Sequence, residues 1–173
     1  MDIMNIIGSL TGNDTVGAIS EKFGIESNKV SGVLKSAIPS LVSAMQKNVS
    51  TEAGAASLGK ALQDHAGDFN LGDMLKNVDL VDGGKILGKI MGGETDNFIS
   101  GLSSKFGLAG SQITNILSSI APTLLNLLGN LRKKNNSADA DLGSLLGMVL
   151  SGGKKTSGLG SILGGLGKIF GGR

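Results

Sequence analysis

The sequence predicts an all-α protein made of two similar helical units followed by a glycine-rich apolar segment. Apolar residues recur at helical spacing along most of the chain, and no run reads as a strand. Residues 19–41 align with residues 102–124 without a gap, at a constant offset of 83 positions. The chain has 29 glycines, five phenylalanines and neither tryptophan nor tyrosine, a composition that favours close helix approach over bulky filling.

Each aligned stretch predicts a helix, a glycine stop and a longer second helix. Gly24 and Gly107 stand where a helix ends in the left-handed conformation, with Ile25 and Leu108 placed for the accompanying hydrophobic contact. Polar residues at the start of each first helix are candidate caps: Asn13 or Asp14, and Thr95 or Asp96.

The longer helix of each unit carries a proline inside its apolar stripe. Pro39 and Pro122 keep helical phase on both sides, which predicts a kink rather than a helix end. Four side chains of each unit are expected in equivalent buried positions: Phe23, Val30, Leu34 and Leu41, and Phe106, Ile113, Leu117 and Leu124.

The remaining elements follow in chain order. Residues 1–12 form a short apolar segment broken by glycines. A helix capped by Ser50 or Thr51 carries a stripe that ends at His65 and Ala66, and Gly67 stops it. Further turns follow over residues 71–78, and after the second unit a helix covers residues 142–150. We therefore divide the chain into a first repeat over 1–82, a second repeat over 83–150, and a linker with an apolar tail over 151–173.

A glycine-flanked apolar segment occurs more than once. Leu166-Gly-Lys-Ile-Phe-Gly-Gly172 matches Leu87-Gly-Lys-Ile-Met-Gly-Gly93, and Met4-Asn-Ile-Ile-Gly-Ser is a weaker copy. The last copy has no helical unit after it, so it needs another place to pack.

Several of these motifs together resemble a known family. The chain is similar to bacterial domain-of-unknown-function family 937 in three segments. These are Asp82-Gly-Gly-Lys-Ile-Leu-Gly-Lys-Ile-Met-Gly-Gly, the Lys-Phe-Gly-Leu turn at 105–108, and Ile116-Leu-Ser-Ser-Ile-Ala-Pro-Thr-Leu-Leu-Asn-Leu-Leu-Gly129. The Ala61-Leu-Gln-Asp-His65 segment fits it as well. The resemblance covers roughly residues 10–150 and implies an all-helical repeat with no catalytic residues to transfer. The YidB-like group is more distantly similar in its Gly/Leu-rich segments.

Candidate chemistry in the sequence is sparse. His65 is the only histidine, and its place on an apolar stripe favours a packed imidazole bonded to a nearby carbonyl. Asp64, Asp68, Asp73, Asp79 and Asp82 lack the spacing of a calcium loop. The absence of cysteine excludes disulfides and thiolate sites. We therefore expect no catalytic residues, no cofactor, no metal and no enzyme activity, in a soluble cytoplasmic protein.

Nucleic-acid binding is the third functional interpretation. The first helix, glycine turn and helix have the spacing of a DNA-reading motif, with Ser27, Asn28, Ser31 and Lys35 at the reading positions. Their counterparts are Gly110, Ser111, Thr114 and Ser118, which include no base-reading arginine. Residues 1–82 hold six lysines and ten acids, a net charge of −4, which repels DNA.

Self-association is the favoured interpretation. Residues 83–173 hold ten basic and four acidic side chains, a net charge of +6, so the two halves are electrically complementary. The sequence predicts a head-to-tail homo-oligomer or filament connected through the apolar face of the tail: Leu159, Ile162, Leu163, Gly164, Leu166, Gly167, Ile169 and Phe170. Its nearby basic residues leave membrane-surface binding as the alternative, and docking within the same chain also stays open.

Overall fold

A computed structural model of the chain describes residues 3–68, 70–134 and 142–151. Within these ranges the backbone forms α-helices joined by short connections, one 3₁₀ turn at Gly92–Glu94, and no strand. The all-α prediction is confirmed. The helices have these bounds: α1 Ile3–Leu10, α2 Asn13–Phe23, α3 Ser27–Asn48, α4 Glu52–His65, α5 Leu71–Lys76, α6 Leu80–Met91, α7 Thr95–Phe106, α8 Gly110–Lys134 and α9 Leu142–Leu150.

The two predicted glycine stops have the same local geometry. Gly24 ends α2 and Gly107 ends α7, each at φ +62°, a left-handed conformation that glycine adopts without steric cost. The next residues, Ile25 and Leu108, are buried, and their N–H groups donate to the carbonyls of Ser20 and Ser103 respectively. The C-terminal caps are therefore confirmed.

The long helices α3 and α8 form the centre of the molecule. Both continue through their prolines, as predicted, and both bury apolar side chains over most of their length. Val30, Leu34 and Leu41 are fully buried, and so are Ile113, Leu117 and Leu124. One apolar cluster includes residues of both long helices and of the shorter helices around them.

Each long helix is covered by a short helix from the other half of the chain. The helix α4, which follows α3, packs on α8, whereas α9, which follows α8, packs on α3. Glycine permits a close approach at both contacts: a Cβ on Gly129 of α8 would lie 2.5 Å from the Leu62 carbonyl oxygen, and one on Gly147 of α9 would lie 3.3 Å from Nε2 of Gln46. These reciprocal contacts agree with a duplicated architecture, and the duplication itself stays a prediction.

Several local predictions are wrong. The N-caps of α2 and α7 are Gly12 and Glu94, and neither helix has a side-chain cap, so the four candidates Asn13, Asp14, Thr95 and Asp96 do not cap. Gly8 does not break the apolar segment before α2, because α1 runs through it. For residues 82–93 the sequence predicted no particular element, and most of them belong to α6.

Two further details differ from expectation. The helix α4 ends at His65 with Ala66 in an extended conformation, and Gly67 has no left-handed backbone to stop it. Phe23 and Phe106 are half-buried, because each is the last residue of its helix, beside the exposed glycine.

The Thr51 cap of α4 is confirmed, since Thr51 Oγ1 accepts a hydrogen bond of 3.1 Å from the N–H of Gly54.

Candidate functional site

The predicted self-association residues lie outside the part of the chain that the structure describes. They are Leu159, Ile162, Leu163, Gly164, Leu166, Gly167, Ile169 and Phe170. Their sequence counterparts within α6 are described, and these show how such a segment packs.

The helix α6 packs lengthwise on α8. Asp79 caps its start by accepting from the N–H groups of Val81 and Asp82. Its apolar side chains Ile86, Leu87 and Ile90 are buried, while its lysines face solvent. The segment is therefore an amphipathic helix with one face that requires a long apolar partner.

Gly83 sets how closely α6 approaches α8. A Cβ at this position would lie 1.9 Å from the carbonyl oxygen of Ser118, so only glycine fits. The approach also buries Ser118, whose Oγ has no hydrogen-bond partner among the described residues. Ser118 is a counterpart of a DNA-reading position, and in this place it is covered by α6.

The helix α1 plays the corresponding part on α3. Ile6 and Leu10 are fully buried, and α1 contacts α3 and α8. The contact of α1 with α3 is smaller than that of α6 with α8, and α6 also packs on α3. Lys35 on α3 is exposed, whereas Ser118, its counterpart on α8, is buried.

The short helix α5 packs on α2 and α8. Leu75 is 3% exposed, and Lys22 of α2 donates from Nζ to the carbonyl oxygens of Leu75 at 3.2 Å and Lys76 at 3.4 Å. One lysine thus satisfies carbonyls at the end of α5, the end of a helix that attracts positive charge.

The corresponding surface on α7 and α3 has no described helix in the place of α5. We define the α3–α7 surface by Ser36, Pro39 and Ser43 of α3 with Phe98 and Lys105 of α7. A cavity of about 670 Å³ opens between these two helices and the end of α6. At the position that corresponds to Lys22, Lys105 donates to Ser36 Oγ at 3.2 Å.

His65 lies between α4 and α6, at the edge of a second cavity of about 410 Å³. Its Nδ1 is 2.9 Å from the carbonyl oxygen of Ala61, so the prediction of a packed imidazole bonded to a carbonyl is confirmed. Its Nε2 is 3.7 Å from Oδ2 of Asp82. Sequence reasoning missed this pairing, because the two residues meet only where α4 and α6 both pack on α8.

The acidic side chains do not gather into a metal site. No group of three potential ligands forms within the described ranges. Asp79 serves as the cap of α6, and Asp64 pairs with Lys60 at 2.9 Å on the exposed face of α4. These carboxylates are therefore engaged in local structural contacts.

The end of α4 is held by polar side chains of α8. Asn126 donates from Nδ2 to the His65 carbonyl oxygen at 2.6 Å, Asn130 donates to Gly67 at 3.1 Å, and Lys133 donates to Ala66 at 3.2 Å. The contact supplies partners for helix-end carbonyls across the two halves of the chain.

No helix in the described part of the chain is long and apolar enough to cross a membrane. Comparison with known families finds one that matches residues 5–131, described as bacterial protein of unknown function (DUF937). A search of the curated proteins finds no match, and neither does a search of the solved structures.

Proposed function

We propose that this chain, which belongs to the DUF937 family of bacterial proteins of unknown function, is a non-enzymatic structural protein that associates with copies of itself through its C-terminal segment. The observation that carries the proposal is the way the other two copies of the glycine-flanked segment pack. The copy in α1 packs on α3, and the copy in α6 packs on α8. Both long helices of one chain therefore already carry such a segment.

The third copy carries apolar side chains at the positions that are buried in α6. Leu166 and Ile169 correspond to Leu87 and Ile90, which are 1% and 4% exposed. An apolar side chain gains roughly 1.5–3 kcal/mol when it is removed from water.

The receptor that we propose in a second copy is the α3–α7 surface. The other apolar side chains of α3 are fully buried within their own chain, whereas Pro39, Ala44 and Phe98 are half-buried.

Such a contact joins different surfaces of the two copies. A contact of this kind generates a ring if the rotation closes and an open filament if it does not. The opposite net charges of residues 1–82 and 83–173 favour an arrangement in which the end of one chain meets the beginning of the next.

The contacts of His65 and of the carboxylate that faces it support a structural role over catalysis. His65 is bonded to a backbone carbonyl, and the carboxylate that faces it stands at the start of a helix. A cytoplasmic location is part of the proposal, because a chain without cysteine forms no disulfide and so fits a reducing compartment.

The test compares two full-length variants by sedimentation velocity over a range of concentrations. Ile169→Gln replaces a side chain whose counterpart is buried, and Lys168→Gln replaces its neighbour, whose counterpart Lys89 is exposed. We expect Ile169→Gln to weaken association about 10- to 100-fold, since 1.4 kcal/mol corresponds to a factor of ten.

The control Lys168→Gln should associate almost as the unmodified chain does. A chain that stays monomeric at every concentration, or equal association by the two variants, contradicts the proposal. Pelleting of the monomer with anionic vesicles, lost in Ile169→Gln, would instead indicate membrane-surface binding.

A further inference from the structure

The short helix α5 identifies a type of docking site that the chain contains twice. Its first instance is the surface of α2 and α8, where Leu75 is buried and Lys22 binds the carbonyls at the end of α5. Such a site accepts one turn or two of helix, with an apolar side chain inward and a lysine at its C-terminal end.

The second instance is the α3–α7 surface. The helix α7 has less cover than α2: Phe98 and Ile99 are half-buried, whereas Thr15 and Val16 at the corresponding positions are buried. Lys105 occupies the position on α7 that corresponds to Lys22 on α2. Its ammonium group donates to Ser36 Oγ, whereas that of Lys22 donates to the carbonyls at the end of α5. The α3–α7 surface therefore has a half-buried aromatic side chain, Phe98, and the counterpart of the first site's lysine, without a described helix against them.

The tail repeats the pattern of the α5 sequence. Leu159-Gly-Ser-Ile-Leu163 matches Leu71-Gly-Asp-Met-Leu75, with Leu at both ends, Gly in second place and an apolar residue in fourth. Leu142-Gly-Ser-Leu-Leu146 has the same pattern but begins α9, so position in the chain distinguishes the tail copy: it follows α9 as α5 follows α4. The copy of the α6 segment, residues 166–172, follows it, as α6 follows α5. The order of the two segments is thus the same in both parts of the chain.

We infer that residues 159–163 dock on the α3–α7 surface as α5 docks on α2 and α8, with Leu163 in the place of Leu75 and Lys105 bound to the carbonyls at the end of the docked turn. That the segment comes from a second copy rests on the proposed function. Seven residues lie between Ser151, next to α9, and Leu159. The eight chain steps from Ser151 to Leu159 span up to about 26 Å when extended, so the experiment must also detect docking within one chain.

Site-directed thiol cross-linking tests this contact, because the natural chain has no cysteine. The test pair is Ser36→Cys with Gly164→Cys, treated with a short bismaleimide, because Ser36 lies beside Lys105 and its replacement leaves the lysine in place. The matched positive control is Lys22→Cys with Lys76→Cys, the pair that joins α2 to α5. The negative control is Lys22→Cys with Gly164→Cys, because α5 already occupies that site.

We expect the test pair to cross-link at least about tenfold faster than the negative control at micromolar protein, since docking holds the thiols at a millimolar effective concentration. Equal rates for these two pairs, with a reactive positive control, would overturn the inference. Leu163→Gln in the test pair should slow the reaction, whereas Ser161→Gln should not.

A mixture of two single-cysteine chains, one with Ser36→Cys and the other with Gly164→Cys, separates the inference from the proposed function. A cross-linked dimer in the mixture supports both. If the double-cysteine chain gives only an internally linked monomer and the mixture gives no dimer, the docking site is supported, whereas self-association through this segment is contradicted.

Discussion

Glycine at position 83 determines how α6 lies on α8. Its missing side chain lets the Ser118 carbonyl approach, while Gly88, later in the same helix, has nothing within 4 Å of the place where a Cβ would stand. The two glycines therefore have different reasons to occur in one helix. The first permits a packing contact, whereas the second only lowers helix propensity.

We predict opposite stability changes for Gly83→Ala and Gly88→Ala. Gly83→Ala should destabilise the protein by about 2–3 kcal/mol, because the added methyl group forces the α6 backbone away from the α8 backbone at Ser118. Gly88→Ala should stabilise it by up to about 1 kcal/mol, the difference between the two residues in a helix. Urea unfolding followed by circular dichroism measures both. Destabilisation of similar size by the two substitutions would contradict the packing explanation.

At the scale of the elements, the helix starts are the least predictable part of the chain. Thr51 caps α4 with its hydroxyl, but Asn13 stands one residue too late and leaves Gly12 as the cap of α2. Both residue types favour N-caps, so composition alone does not separate the two cases. Two helix ends were predictable, because at Gly24 and Gly107 glycine is required by backbone sterics.

We predict that Thr51→Ala costs about 1 kcal/mol of stability, as the loss of a helix cap does. Asn13→Ala should change stability by less than about 0.5 kcal/mol, because that exposed side chain caps nothing. Thermal unfolding of the two variants beside the unmodified protein provides the measurement. Equal losses in both would mean that Asn13 caps α2 in solution.

Tertiary packing accounts for what the sequence did not reveal about the candidate site. The repeated segments and the prolines were visible as patterns, and so was the apolar stripe that contains His65. The meeting of His65 with Asp82 depends on α4 and α6 both packing on α8, and the contact of Asn126 with the end of α4 spans 61 positions. No local spacing encodes such contacts, since they follow from the way α4 and α9 are exchanged between the two halves.

At the scale of the whole molecule, this exchange makes the two halves depend on each other. The buried face of α4, with Leu58 and Leu62, packs on α8, and the buried face of α9, with Leu146 and Val149, packs on α3. Neither half therefore holds the partners of all its own helices. We expect one cooperative unfolding transition for the full chain, as for a single domain.

The final prediction follows from this dependence. A fragment of residues 1–78, which ends before the cap of α6, exposes Leu58, Leu62 and the face of α3 that contacts α8, so we expect it to lack cooperative unfolding and most of its helical signal. Mixing it with a fragment of residues 79–173 should restore both, because α4 then regains α8 and α9 regains α3. Circular dichroism during urea titration of each fragment and of the mixture provides the measurement. If residues 1–78 alone unfold cooperatively with full helical content, the first part of the chain carries its own complete core, and the exchange of α4 and α9 does not hold the molecule together.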